Sequence, residues 1–414
     1  MPGRGNRSVQ IEYHSVKESE SQSENFDTLT LTSVASDDTL TLKIMSEKVL
    51  ITGNEAIAEG AICAGARFYA GYPITPQNEI PAYMAKRMPE VGGVFIQSES
   101  ELAAISMVMG ASAAGFRALT SSSSPGISLK QEGISYIAGA ELPAVIVNIM
   151  RAGPGLGNIW PAQSDYFQAT KGGGHGDYRN IVLAPASVQE AFDLTQLSFD
   201  LADKYRNPVM VLGEGLLGQM MEPILVPRSS FLVNREENKQ STKHEARSTK
   251  TWALTGCKDR KPNLVASFRM REGEMEKHNK HLKEKYDEIE SKEQRFEVLD
   301  IADANTIIVA YGTMARIAKG AIKTLRAKNI KVGLIRPITL WPFPKYVFER
   351  IAQNAGRRTF LVVEMSNGQM VEDVRLAVNG KSPVDFLGRT GGGVPTEEEI
   401  IKKITKIQET MTKQ

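Results

Sequence analysis

The chain has 414 residues, 41% hydrophobic and 24% charged, an ordinary globular balance with length for two or three domains. Fifty basic against 48 acidic side chains leave a net charge of +2, which offers no field for nucleic acid or a membrane surface. No apolar run approaches the roughly 18 residues of a membrane helix. The amino terminus lacks the apolar core of a secretory signal, so a cytoplasmic location is expected. Cys63 and Cys257 are the only cysteines. Two thiols cannot ligate an iron–sulfur cluster alone, so any redox metal centre belongs on another chain.

Residues 1–45 are polar and rich in Ser, Thr, Glu and Asp, too poor in apolar surface to order themselves, and read as an extension. From Lys48 short β-branched runs (Val49–Thr52, Val94–Ile96, Val145–Ile149, Val209–Leu212) alternate with helical segments and Gly/Pro turns. That rhythm predicts βαβ units and a doubly wound parallel sheet, an α/β domain over residues 46–227. The helix expected from Glu101 to Gly115 is small and apolar nearly all round, so burial is expected for it. Residues 228–300 read as a polar connector followed by one charged helical arm over 272–300, with Met275, Leu282, Ile289 and Phe296 seven residues apart. A second, smaller α/β domain is expected over 301–414. It starts at the strand 306–310, and Thr396 and Glu399 have capping-box spacing before its last helix.

Two motifs carry little. Gly213-Glu214-Gly215-Leu216-Leu217-Gly218 matches GxGxxG after a strand, but Pro223 would end the helix that a dinucleotide site needs. His278 and His281, three apart on the charged helix, read as solvated side chains rather than a metal site, and no metal ligand set is expected.

Four segments carry more. In Tyr72-Pro73-Ile74-Thr75-Pro76, Thr75 reads as the N-cap and Pro76 as the first helical residue. The same helix end could equally receive a carboxylate. Ser98 and Glu101 have capping-box spacing, yet a carboxylate at the mouth of an apolar helix is also a candidate for chemistry. Arg151 follows a buried strand and opens a glycine-rich loop, where its fork would fit a carboxylate or else satisfy loop carbonyls. His175, in Gly172-Gly173-Gly174-His175-Gly176-Asp177, is a weak acid/base candidate.

Taken together, GYPITP (71–76), QSESELAA (97–104), TSSSSPGISLKQEGISYIAGAELP (120–143), MRAGPGLGNIWPAQSDYFQATKGGGHGDY (150–178), YGTMARIAKGA (311–321) and GLIRPITLWPFP (333–344) resemble the alpha subunit of 2-oxoacid:ferredoxin oxidoreductases. The branch with the most similar pattern is that of branched-chain 2-oxo acids (2-oxoisovalerate). The resemblance implies a thiamine-diphosphate-binding domain of the pyrimidine type and a second domain like the transketolase carboxy-terminal domain. It implies oxidative decarboxylation of a 2-oxo acid to an acyl-coenzyme A, with electrons passed to ferredoxin. A pyruvate or 2-oxoglutarate enzyme and a non-catalytic scaffold are the alternatives. No GDG motif with a following asparagine is present, so a beta subunit is expected to bring Mg2+, the diphosphate site and a [4Fe-4S] cluster, with a ferredoxin-like gamma or delta chain bringing more.

Residue by residue, the resemblance gives Glu101 the place of the glutamate that bonds the cofactor's aminopyrimidine ring, with Glu99 as rival and Pro73 and Ile74 beside the cofactor. Thr75 and Arg151 take the places of the residues that hold the substrate carboxylate. Ser123 in the serine run and Asn158 in the GLGN loop are further candidates.

Overall fold

In the computed structural model the described residues are 46–227, 250–354 and 358–412. The expected extension and residues 228–249 of the expected connector lie outside them.

The larger sheet has seven strands. Its chain-order members are β2 (Phe68–Gly71), β3 (Val94–Gln97), β4 (Ala118–Ser122), β5 (Ala144–Met150), β6 (Ile181–Leu183), β7 (Pro208–Glu214) and β12 (Thr339–Trp341). They lie in the order β12-β6-β7-β5-β4-β2-β3, parallel except for β12, which pairs antiparallel with β6. Every residue of β5 is buried, as a central parallel strand covered on both faces requires. Alternate side chains face opposite layers. Ile146 and Met150 pack with Ile127 and Ile134 of helix α4 (Ser124–Gly139), while Val145, Val147 and Ile149 pack with Ile57 and Phe199. β1 (Ser46–Thr52) pairs with β8 (Met221–Pro227) in a separate two-stranded sheet.

From β2 the chain crosses through helix α2 (Glu79–Glu90) to β3, and from β4 through α4 to β5 on the other side. The winding therefore reverses between β2 and β4. The crevice beyond their carboxyl ends is where an open α/β sheet collects ligands.

The smaller sheet runs β14-β13-β10-β11-β9, with β10 (Thr306–Val309), β11 (Val332–Pro337), β13 (Thr359–Glu364) and β14 (Val384–Gly388) parallel and β9 (Phe296–Leu299) antiparallel to β11. β9 corrects the expected arm over 272–300. The helix spans only Glu274–Lys292 and the chain then enters the sheet. Leu282 and Ile289 are buried, whereas Met275 is exposed and Phe296 belongs to the strand. His278 is likewise not solvated: it is buried and its Nε2 lies 2.8 Å from the carbonyl of Gly139. The Thr396–Glu399 capping box is present, with Thr396 N–H donating to Glu399 Oε2 at 2.8 Å and Glu399 N–H to Thr396 Oγ1 at 3.2 Å.

The two sheets share one core. The cluster that holds Ile146 and Ile134 also holds Ile307 and Phe360 of the smaller sheet. Gln163 joins the two units. Its backbone N–H donates to the carbonyl of Met365 at 2.8 Å, its Nε2 to that of Tyr311 at 3.0 Å, and its Oε1 accepts from Met365 N–H at 3.1 Å.

Candidate functional site

Four strand ends supply the crevice. After β2 comes the segment Tyr72-Pro73-Ile74-Thr75-Pro76, pinned from two sides. Tyr69 Oη and Ser121 Oγ lie 2.8 Å apart, and Ser121 Oγ donates to Gln77 Oε1 at 2.5 Å. Asn54 Nδ2 and Gln219 Nε2 both donate to the carbonyl of Pro76, at 2.8 and 3.1 Å. Thr75 is not the N-cap that the spacing predicts. The helix begins at Glu79, behind Asn78, and Thr75 stands exposed in the loop, its Oγ1 accepting from Asn78 Nδ2 at 3.3 Å. Pro73 is exposed and Ile74 half-buried beside it.

After β3 the helix α3 (Glu101–Ala113) is capped by Ser100, whose side chain accepts from Ala103 N–H at 3.2 Å. The cap is not Ser98, so Glu101 is the first helical residue and is free of capping duty. The helix is not buried all round either: Leu102 and Met107 are exposed. Glu101 itself is 6% exposed and takes no hydrogen bond among the described residues. Glu99 is exposed and accepts from Ser100 Oγ at 3.2 Å. Burial thus separates the two glutamates and places Glu101 in the crevice wall.

After β4, Ser122 and Ser123 lead into α4. Both hydroxyls are buried and without a partner. A Cβ added at Gly126, in the first turn of α4, would lie 2.1 Å from Ser122 Oγ and 2.4 Å from Glu101 Oε1. The absent side chain at Gly126 therefore lets the carboxylate approach the amino-terminal turn of a 16-residue helix, whose dipole favours negative charge there. Beneath this turn Lys130 is fully buried, and its Nζ donates to Thr120 Oγ1 at 2.8 Å and to the carbonyl of Ser121 at 3.0 Å. Burial pushes its ammonium down to about 7, while the charge of Glu101 pulls the other way.

After β5 comes Arg151, 8% exposed. Its Nη1 donates to the carbonyl of Thr75 at 3.0 Å and its Nη2 to that of Leu156 at 3.2 Å; Nε is buried without a partner. Among the described residues no carboxylate pairs with it. Its backbone N–H donates to Ser124 Oγ at 3.1 Å, and Ser124 Oγ donates in turn to Asp165 Oδ2 at 2.6 Å. Asp165, raised above the usual carboxylate range by burial, also accepts from Asn148 Nδ2 at 2.9 Å and ties the end of β5 to the start of α4. Asn158 shapes the loop that follows. Its Oδ1 accepts from Trp160 N–H at 2.9 Å and its Nδ2 donates to the carbonyl of Gly391 at 3.1 Å, in the turn of the smaller unit. Leu156, Ile159 and Trp160 on this loop are exposed.

Glu101, Ser123 and Arg151 thus meet around the first turn of α4, and Thr75 joins them through Arg151. His175 does not. It is exposed, and its carbonyl accepts from Ser135 Oγ at 2.6 Å, nine residues along α4 from Gly126, about 13 Å at 1.5 Å per residue. Sequence reasoning missed Lys130. The signal was available: Ile127, Lys130, Ile134 and Ile137 recur on one helical face, so the lysine had to be buried with the isoleucines.

Comparison with known proteins adds the following. The family model for pyruvate flavodoxin/ferredoxin oxidoreductase, thiamine diphosphate-binding, matches residues 59–297, and that for pyruvate:ferredoxin oxidoreductase core domain II matches 304–400. The ketoisovalerate oxidoreductase subunit VorB of Methanothermobacter marburgensis is 51% identical over 86% of this chain and 97% of its own length. The 2-oxoglutarate synthase subunit KorA of Methanothermobacter thermautotrophicus is 37% identical over 88% of this chain and all of its own. Among solved structures, 2-oxoglutarate:ferredoxin oxidoreductase from Magnetococcus marinus, with 2-oxoglutarate, coenzyme A and succinyl-CoA bound, superposes with TM-score 0.75 at 27% identity. That match covers 87% of this chain and 65% of that one. A split-gene transketolase in an inactive beta4 tetramer shares the fold, with TM-score 0.51 at 13% identity over 86% of this chain and 96% of that one.

Proposed function

The chain belongs to the pyruvate flavodoxin/ferredoxin oxidoreductase family, and from that premise we propose that it is the alpha subunit of a 2-oxoacid:ferredoxin oxidoreductase acting on branched-chain 2-oxo acids. One observation carries the reading. The crevice holds a buried carboxylate, Glu101, and a buried guanidinium, Arg151; among the described residues the first takes no hydrogen bond and the second has no carboxylate partner. Both charges are costly to bury unless a ligand completes them.

The residues fit thiamine diphosphate on one side only. Glu101 and the unpartnered hydroxyls of Ser122 and Ser123 offer an acceptor and polar contacts to a heteroaromatic ring. Mg2+, the diphosphate site and the [4Fe-4S] clusters would come from a beta subunit and a gamma or delta chain, as expected from the two cysteines and the missing GDG motif. Thiamine diphosphate held by these residues would supply a nucleophilic carbon for the 2-oxo group and an electron sink for the loss of carbon dioxide. Glu101 would accept or hold a proton at a nitrogen of the bound ring, and its position beside the amino-terminal turn of α4 favours its carboxylate form for that role. Arg151 and the Thr75 loop orient the substrate carboxylate. Because that carboxylate must leave as a neutral molecule, holding it in place serves the reaction better than holding it tightly.

The branched-chain assignment is supported by identity, 51% to the ketoisovalerate relative against 37% to the 2-oxoglutarate one. It is also supported by the apolar loop residues Leu156, Ile159 and Trp160 next to Arg151. The test is co-expression with the candidate beta subunit and measurement of coenzyme A-dependent dye reduction with 3-methyl-2-oxobutanoate, pyruvate and 2-oxoglutarate. The expected order puts 3-methyl-2-oxobutanoate first in kcat/KM. Preference for 2-oxoglutarate overturns the substrate, and turnover by the purified chain alone overturns the shared site.

A further inference from the structure

We propose that Lys130 is a positioning residue for Glu101: a buried ammonium, fastened to the end of β4, that fixes the place and charge of the carboxylate across the first turn of α4. The inference rests on the reading of Glu101 given above.

The geometry is specific. Lys130 is among the largest fully buried side chains, with no exposed surface, on a helix face otherwise made of Ile127, Ile134 and Ile137. A lysine is rarely found there without a partner that compensates its charge. Its two hydrogen bonds go to a neutral hydroxyl, Thr120 Oγ1, and a neutral carbonyl, Ser121 O. They satisfy two of its three donors and neutralise nothing. Gly126 lies one turn before Lys130 on the same helix, and the Cβ it lacks would sit 2.4 Å from Glu101 Oε1, so the carboxylate stands beside the helix face that carries the ammonium; the charge of Glu101 raises that ammonium against the larger lowering by burial. Thr120 and Ser121 belong to the strand that also supplies Ser122, whose unpartnered hydroxyl flanks Gly126 together with Glu101 Oε1. Lys130 therefore braces the floor from which both the serine run and Glu101 face the crevice. The carboxylate receives positive potential from two directions, the amino end of α4 and the ammonium below it.

The pairing is read first without activity. In urea unfolding of the full chain at pH 6, where the amine is charged in the folded state, Lys130→Met and Glu101→Gln are compared with the double variant. A coupled pair gives a double variant whose unfolding constant differs from the product of the single effects by about tenfold or more, because removing either charge alone strands the other. Effects that multiply to within about twofold overturn the proposal. If Lys130→Met does not fold, Lys130→Gln enters the same cycle. In the assembled enzyme, Lys130→Met is expected to lower kcat by about 100-fold, with KM for the 2-oxo acid within about twofold, and Lys130→Arg to recover most of the loss. It is also expected to weaken thiamine diphosphate binding, followed by fluorescence quenching, by about tenfold. Unchanged kcat and unchanged cofactor affinity overturn the positioning role. Coupling in the unfolding cycle together with full activity in Glu101→Gln would retain the pair and overturn the reading of Glu101 on which it rests.

Discussion

Arg151 Nη1 donates to the carbonyl oxygen of Thr75 at 3.0 Å, so the two residues that sequence reasoning assigned to one substrate carboxylate are first of all bound to each other. The contact joins the loop after β2 to the loop after β5 across β4, and the second arm of the guanidinium fixes Leu156 in the same way. Arg151 thus builds the loop that it serves. Arg151→Ala is expected to raise KM for 2-oxo acids by about 10- to 100-fold, the worth of a charge-assisted contact. Arg151→Lys should recover little, since a point charge cannot fork to both carbonyls. Steady-state kinetics on the assembled enzyme decide it: an unchanged KM removes Arg151 from the substrate site.

Glu101→Gln keeps the volume and polarity of the side chain and removes its capacity to hold a proton for the ring. Turnover is expected to fall by at least about 100-fold, with assembly intact by size-exclusion chromatography. Glu99→Gln, a change at an exposed side chain, should leave turnover within about twofold. If the two variants exchange these behaviours, the catalytic role moves to Glu99.

Gly126→Ala tests the close approach itself. Alanine is the better helix former by roughly 1 kcal/mol, so helix propensity alone predicts a more stable chain. The new Cβ would meet Glu101 Oε1 at 2.4 Å and Ser122 Oγ at 2.1 Å, and both must shift. A displacement of that size at a reacting carboxylate costs about 100-fold in rate. The expected result is loss of turnover with little change in the urea midpoint. Retained activity would show that Glu101 has room to move without consequence.

Much of this site was legible because its residues sit at strand ends, and strand ends are marked by local pattern. The runs before Tyr72, Ser98 and Arg151 are mostly β-branched or apolar and the residues after them are turn formers, so their common edge follows from the parallel sheet, whereas Ser123 ends the polar run Thr120-Ser121-Ser122 and is reached only through the family resemblance. What failed depended on long-range pairing. Phe296 continues the seven-residue spacing of Met275, Leu282 and Ile289, yet it belongs to β9, because its backbone pairs with Pro337 and nothing within the segment records that partner. Thr75 has the residue type of a cap, but the loop is held instead by Asn54, Ser121 and Gln219 from distant segments. Asp165 escaped notice for the same reason: its partners, Ser124 and Asn148, are 41 and 17 residues away.

Gln163 offers a test of how the two units depend on each other. Its amide satisfies Tyr311 O and Met365 N–H in a buried place where water cannot substitute. Gln163→Leu leaves both groups unpaired, and each costs about 1–3 kcal/mol. The urea midpoint should fall accordingly, in a single transition, because one core cluster spans both sheets. Two separate transitions would show that the units unfold independently.

The pH dependence of stability should carry the signature of Lys130. Its folded-state ammonium is held near 7 by burial, against about 10.5 in the unfolded chain. Below 7 the folded state carries the full penalty of a buried charge; between about 7 and 10.5 the unfolded chain binds the extra proton, so stability rises with pH. The slope from this one group reaches about 1.4 kcal/mol per pH unit. The buried phenols of Tyr69, Tyr166 and Tyr311, raised by the same desolvation, act in the opposite sense above about 10, because the unfolded chain ionises them first. The measurement is therefore a difference: urea midpoints of the native chain and Lys130→Met at intervals from pH 6 to 9.5. The native chain should gain on the variant as pH rises through 7. A constant gap would mean that the amine is already neutral, or already fully compensated, throughout that range.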